Sequence, residues 1–388
     1  MEGALVVLLD AVSVRLRAVL SGPGGRYAVR LPEGVRFRLR VERIGYATTV
    51  TPPVMRERAK QGTFDVSLPV QAISLEPIVA TGAGRCVVDP RTAEETAILW
   101  DQARKTLEVT ALVHRERLVR FHAVHFGRAL APDRSVLLSE SLEQGAMDRP
   151  FRSLPAAELD TAGWARWDGE HNVYYMPDPE VALSDDFLDG HCFHVAVRDG
   201  FRGRQVGLAF EPLAGRRLPD VSGVLWLDGR TAELRSLEYG YTGLGREEVE
   251  ELAGGQAEFE QLANGVWVVR RWHITMPILK ERKHFLGLFT QVTLSEVQEE
   301  GGEVVEATDE AGRILTRPGP YELVGEVRDG DSGRPLDGAT VRLSGTPWGV
   351  TTGSDGAFRF RGLSRGEYLL TFTHPLQDTL GVRPEVRR

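Results

Sequence analysis

The chain has 388 residues, 42% of them apolar and 26% charged, with a formal net charge of −8. That length exceeds one ordinary core, so two or three domains are expected. The composition is that of a folded protein, and the acidic balance argues against nucleic-acid binding. The longest apolar run, residues 4–9, is too short to cross a bilayer, so no transmembrane segment is expected.

Residues 1–80 read as a degenerate copy of a strand-rich stretch at the other end of the chain, whose runs alternate apolar and polar side chains as antiparallel strands with one buried face do. Gly3-Ala4-Leu5-Val6-Val7-Leu8 has a counterpart far downstream in Gly338-Ala339-Thr340-Val341-Arg342-Leu343. Gly25-Arg26-Tyr27-Ala28-Val29 likewise corresponds to Gly356-Ala357-Phe358-Arg359-Phe360, and Phe37-Arg38-Leu39-Arg40-Val41 stands in the place of Tyr368-Leu369-Leu370-Thr371-Phe372. A further strand is expected over 63–68. The first copy lacks a counterpart of 323–329, and the second stops before a counterpart of 63–68. A missing strand leaves an open edge, so the natural product is expected to begin upstream, with a secretion signal, and to continue past Arg388. The first residues do not themselves read as a signal: Glu2 sits where basic residues belong, and Asp10 interrupts the apolar run.

Residues 69–91 read as a linker rich in Pro, Gly and small side chains. Within it, Thr81-Gly82-Ala83-Gly84-Arg85 lacks the third glycine of a dinucleotide fingerprint, since Val87 holds that place. A helix is predicted over 92–110. Thr92 and Glu95 form a capping box, and Leu99, Ala103, Leu107 and Ala111 recur at helical spacing.

From 114 to 294 the chain reads mostly as strands, with candidates at 118–126, 136–141, 172–176, 192–197 and 205–210. Two hairpins stand out. Strands over 224–227 and 234–241 flank Asp228-Gly229, and strands over 257–262 and 266–274 flank Asn264-Gly265, pairs that supply left-handed turn residues. A meander of hairpins after one amphipathic helix implies a curved antiparallel sheet with the helix in its concavity. On element order and on the texture of 221–274, this region is similar to the lipoprotein-carrier fold of bacterial envelopes, a half-open barrel that holds an acyl chain.

Six of the seven tryptophans lie between residues 81 and 315. Trp267 and Trp272 are five apart and would face opposite sides of a regular strand. Leu99 and Leu107 on the helix, with Trp226, Tyr239, Trp267 and Trp272 on the sheet, are therefore expected either to pack as core or to line an apolar ligand cleft.

Metal chemistry rests on His122 and His125 and on His191, Cys192 and His194. In strands, histidines three apart point to opposite faces, so half-buried strand positions are the alternative reading. Asp178, Glu180, Asp185, Asp186 and Asp189 form an acidic run without the spacing of a calcium loop. Cys86 and Cys192 are expected to form a disulfide tying the helix entry to the sheet.

The last stretch is the most specific. It runs Val324-Gly325-Glu326-Val327-Arg328-Asp329, then Gly333-Arg334-Pro335-Leu336-Asp337-Gly338-Ala339, then Thr352-Gly353-Ser354-Asp355-Gly356-Ala357-Phe358-Arg359-Phe360, then Gly366-Glu367-Tyr368. This resembles the carboxypeptidase regulatory-like domain, a prealbumin-like β-sandwich within a carbohydrate-binding-like class of folds. Gly362-Leu363-Ser364-Arg365-Gly366 has the letters of a nucleophile elbow, but a strand and not a helix is expected to follow Ser364. The resemblance implies an extracytoplasmic setting and an accessory, non-catalytic module.

The expected architecture is mainly β with an α+β middle. Residues 1–80 and 316–388 form two prealbumin-like β-sandwiches flanking 81–315, a helix packed on a curved antiparallel sheet. The expected role is a non-enzymatic periplasmic, outer-membrane-associated or secreted protein that scaffolds or binds an apolar or polymeric ligand. Its partners would be lipid, glycan or envelope protein, with no cofactor and no nucleic acid. The alternative is a metal-dependent hydrolase centred on the middle domain.

Overall fold

Five apolar residues in a row form β1 (Leu5–Leu9), and all five are buried. Alternate side chains of a strand leave on opposite faces, so such a run needs cover on both sides. In the computed structural model it has that cover. Val6 and Leu8 meet Phe37, Leu39 and Val41 of β3 (Arg36–Glu42) in a small local core, while Leu5, Val7 and Leu9 join the main core of the molecule. β2 (Arg15–Leu20) and β3 pair antiparallel on either side of β1, and β4 (Thr49–Val50) and β5 (Val54–Met55) add to β3. The structure describes residues 1–31, 36–55, 63–71, 90–167, 172–200, 203–284, 289–330, 332–364, 368–375 and 386–387.

The strand expected over 63–68 is absent as a ladder. Phe64, Val66 and Leu68 nonetheless alternate into the local core, and the Tyr27 hydroxyl donates to the Phe64 carbonyl at 2.6 Å. The periodicity is that of a strand, but the hydrogen bonds are not.

Helix α1 (Pro90–Glu116) is longer than the predicted 92–110 because Ala111, Leu112, Val113 and His114 continue the buried pattern. Leu99, Ala103 and Leu107 sit in the main core, where α1 packs on the large sheet. A second side meets the N-terminal sheet through polar groups. Gln102 Oε1 accepts from the Gly45 amide at 2.9 Å, and Lys105 Nζ donates to the Tyr46 carbonyl at 2.7 Å. Arg104 pairs with Glu42 of β3 at 2.7 Å and with Glu108 at 2.7 Å.

The large sheet has nine antiparallel strands. They begin with β6 (Arg120–Leu130) and β7 (Leu137–Met147), then skip a short insertion. That insertion holds α2 (Ala156–Ala162), the ribbon β8 (Ala165–Trp167) with β9 (Asn172–Tyr174), α3 (Pro179–Ala182) and α4 (Asp185–Gly190). The sheet resumes with β10 (His191–Gly200), β11 (Gly203–Pro212), β12 (Asp220–Asp228), β13 (Leu234–Thr242), a short α5 (Glu247–Glu250), β14 (Gly254–Gln261), β15 (Trp267–His284) and β16 (Phe289–Thr308). The order is β10-β11-β12-β13-β14-β15-β16-β6-β7, so β16 returns to pair with the first strand after the helix.

Both predicted hairpins form, with one change of turn chemistry. Gly265 takes the left-handed conformation in the β14–β15 turn, as expected (φ 80°). In the β12–β13 loop that conformation falls to Ala232 (φ 62°), because Asp228 Oδ1 accepts from the amides of Arg230 and Thr231 and holds the turn earlier.

The facing of the two tryptophans is also corrected. The β14–β15 register shifts so that Glu258 opposes Arg271 while Phe259 opposes Val269. Arg270 is the extra residue of a β-bulge, and a bulge reverses the alternation beyond it. Trp267 and Trp272 therefore both enter the main core.

The C-terminal unit comprises β17 (Tyr321–Glu326), β18 (Thr340–Leu343), β19 (Gly349–Thr351), β20 (Ala357–Leu363), β21 (Leu370–Thr373) and β22 (Val386–Arg387). β17 pairs with β20, and the order β19-β18-β21-β22 forms the opposing layer over Val341, Leu343, Phe358 and Phe360. The molecule is mainly β, built from several antiparallel sheets.

His114, near the end of α1, is buried edge-on to Phe121 with no hydrogen-bond partner for Nε2. Burial, then the charge of Arg149, pushes its pKa down from 6.5 to about 4. The unfolded chain takes up a proton near pH 6.5 and the native chain does not, so stability is complete above that pH and falls as pH drops towards 4. The loss should be about 3 kcal/mol, at 1.36 kcal/mol per pH unit. Urea unfolding at stepped pH should show this slope, and His114→Leu should flatten it.

Candidate functional site

The residues expected to line an apolar cleft are core. Leu99 and Leu107 of α1, Tyr239 of β13, and Trp267 and Trp272 of β15 are all buried in one cluster. Trp272 lies against the ring of Phe151 at 5.7 Å and meets His125 edge-on at 5.2 Å. Trp226 of β12 stands outside that cluster. Its indole donates to Glu238 at 3.1 Å, and the Arg198 guanidinium covers its ring at 4.1 Å. What remains near Trp267 is a cavity of about 70 Å³ bordered by Glu42, Lys105 and Glu233, room for a few waters and not for an acyl chain. An apolar stripe facing a sheet has the same spacing whether it packs or binds, and here the side-chain volume fills the space.

The metal candidates do not converge. Both ring nitrogens of His191 are engaged: Nδ1 lies 2.8 Å from the Phe187 carbonyl, and Nε2 lies 3.1 Å from the Val221 carbonyl and 3.3 Å from Asp220. His194 is exposed, three residues along the same strand and so on the other face. Cys192 is half of a disulfide, while Cys86, its expected partner, lies outside the described residues. Among the described residues no three potential ligands come together.

The acidic run has a different use. Asp178 accepts from the amides of Val181 and Ser153 and caps α3, and its buried carboxyl titrates above the usual range. Asp185 and Asp186 occupy the first turn of α4 behind the cap Ser184. There they favour the positive end of the helix. Ser364 follows β20 and its carbonyl accepts from Tyr368, with β21 as the next regular element. A nucleophile elbow needs a helix there.

A charged cleft of about 130 Å³ lies elsewhere, between the other face of the nine-stranded sheet and the C-terminal unit. Two charged clusters line it. In the first, Arg128 of β6 binds Glu299 of β16 at 2.7 Å and donates to Ser344 at 2.7 Å. Ser344 and the Gly345 amide both donate to Glu140 of β7. Gly345 has φ 78°, and a Cβ there would lie 2.8 Å from the Phe126 ring. Only glycine lets the two units approach this closely.

In the second cluster, Arg271 binds Glu303 at 3.2 Å, lies 4.0 Å from Glu258, and has the Tyr368 ring 4.2 Å from its guanidinium carbon. Arg270 approaches Glu303 and Glu260, each at 3.8 Å. Burial works against the charge on Arg271, but Glu303 and Glu258 outweigh it and the proton is held more tightly than usual. Burial likewise raises the Glu260 carboxyl, with Arg270 opposing. Arg270 Nε and Nη1, Arg271 Nη1 and Glu303 Oε1 are buried without hydrogen-bond partners.

This cleft is small beside the roughly 300–1,000 Å³ of ordinary ligand pockets. Its charges are engaged with one another, so what it does is hold the C-terminal unit on the sheet. The readable signal was Val268-Val269-Arg270-Arg271-Trp272, two adjacent arginines amid buried strand residues, matched by Glu299 and Glu303 on one face of β16.

Residues 322–383 match the carboxypeptidase regulatory-like domain. No curated protein and no solved structure matches the chain.

Removing one member of a buried charge pair leaves the other uncompensated, at a cost of about 3–5 kcal/mol. Glu303→Ala should lower stability to urea by that order and expose the 309–320 connection to limited proteolysis. A joint Arg271→Met, Glu303→Leu variant should recover most of the loss.

Proposed function

We propose that this chain is a non-enzymatic, extracytoplasmic scaffold whose outer surfaces serve an envelope polymer, lipid or protein. The observation that carries the reading is the double cover of the nine-stranded sheet. One face is closed by α1, itself backed by the N-terminal sheet through a shared core. The other is covered at its β15–β16–β6–β7 end by the C-terminal unit, through the Arg128–Glu299 and Arg271–Glu303 clusters. Such cover favours rigid presentation over an interior ligand. The disulfide at Cys192 supports an oxidising compartment.

In this reading the N-terminal sheet is a second, divergent regulatory-like copy. β1 is flanked by β2 and β3 as β18 is flanked by β19 and β21, antiparallel throughout; β1 with β18 and β3 with β21 correspond in sequence, whereas 25–29 forms no strand where 357–360 belongs to β20. The match at 322–383 supports an accessory module at the other end.

Two measurements test the proposal. In the source cells an epitope-tagged chain should be recovered with the envelope or medium; recovery from the cytoplasm would sink it. The purified protein should carry no stoichiometric zinc and turn over no ester, peptide or glycoside substrate. A hydrolase activity lost in His194→Ala would establish the metal-dependent enzyme instead.

A further inference from the structure

Helix α1 has a third side that the sheets cover only in part, Arg104 reaching Glu42 of β3 and Trp100 meeting Phe193 of β10. Trp100, Arg104, Glu108, Ala111 and Arg115 follow one another at spacings of three or four, a single stripe along about four turns. This stripe floors an open groove of about 570 Å³. Arg15 of β2 forms one wall, and Glu180, Leu183 and Leu188 of the α3–α4 segment form the other.

The groove's charges can be followed pair by pair. Glu108 is taken by Arg104 at 2.7 Å and by Arg40 at 3.4 Å, and Glu180 by Arg149 at 3.5 Å. Arg104 is taken in turn by Glu42, Asp101 and Glu108. Arg15 and Arg115 remain, with no ion pair among the described residues. Two guanidiniums without an ion pair thus face the groove, with Glu116 acting on Arg15 as the nearby counter-charge, in a chain whose net charge is −8. Partial desolvation makes it harder for the exposed Arg15 to hold its proton, and Arg115 and Arg40 add to this while Glu108 and Glu116 oppose it. Beside the two guanidiniums, Trp100, Leu183 and Leu188 are half-buried and offer apolar surface.

We propose that this groove binds a carboxylate-headed amphiphile, the head held by Arg15 and Arg115 and the apolar body lying along Trp100, Leu183 and Leu188. Guanidinium and carboxylate match as a fork on a fork, which suits Arg to such a head. The groove's volume falls within the range of small-molecule sites. The site lies on the outer side of α1, apart from the filled space between helix and sheet. It does not rest on the scaffold reading, since an enzyme of the same fold would carry it equally.

Titration calorimetry of the full chain with dodecanoate, below its micelle concentration, tests the proposal. One equivalent should bind, weakening with added salt, while acetate and dodecyltrimethylammonium should not bind. Arg15→Gln with Arg115→Gln should weaken binding by about tenfold or more, as expected for loss of charge-assisted hydrogen bonds. Arg15→Lys with Arg115→Lys should restore part of it. Both side chains are exposed, so unchanged circular dichroism and melting should accompany each variant. The proposal is overturned if dodecanoate fails to bind, if the cationic surfactant binds equally well, or if the folded double glutamine variant binds as the wild type does.

Discussion

The structure depends on how four cations, Lys105 buried and three arginines partly buried, are met where its units join. Lys105 and Arg104 bring two cations to the seam between α1 and the N-terminal sheet, and Arg128 and Arg271 bring two more to the seam under the C-terminal unit. Each seam supplies deeply placed carboxylates: Glu42 on one side, Glu299 and Glu303 on the other, all 1–2% exposed. Buried pairs of this kind contribute little net stability, because desolvation offsets the attraction. Their effect is on specificity, since a misplaced unit leaves a charge unpaired in a dry interface.

The apolar cores supply the stabilising area instead. The main core is continuous from Leu5 of β1, through Leu99 and Leu107 of α1, to Trp267 and Ile274 of β15. The N-terminal sheet therefore shares one core with α1 and the nine-stranded sheet. The C-terminal unit differs. It keeps its own small core around Val341 and Phe358 and touches the sheet through a minor cluster of Leu130, Val297 and Leu369 beside the charged cleft. The two ends are alike in strand pairing and unlike in attachment.

One local irregularity shapes both sides of the sheet. The bulge at Arg270 turns Trp267 and Trp272 to the same face and lets Arg271 follow Arg270 into the opposite cluster. Regular alternation would have placed one tryptophan among the charges. The inserted residue keeps apolar groups with α1 and cations with the C-terminal unit, so both covers fit a single strand.

Local periodicity and turn chemistry were enough to read much of the molecule. The hairpins about Asp228 and Asn264, the helix stripe of Leu99, Ala103 and Leu107, and the regulatory-like stretch near the C-terminus are all legible from residues close in sequence. The helix cap at Asp178 was legible only as one carboxylate in an acidic run without calcium-loop spacing, since capping depends on the backbone that follows it. What no local pattern contains is volume and long-range pairing. Whether Trp267 and Leu107 line a cleft or fill it depends on the distance between helix and sheet, and that is set by all the side chains between them. Whether Arg271 finds Glu303 depends on a ladder joining residues 32 apart in the chain, and the bulge that aims it is a matter of register. Sequence determined the elements and their apolar faces, because both follow from the geometry of neighbouring residues. Tertiary structure alone decided which faces close on one another and which charges meet, because those follow from packing.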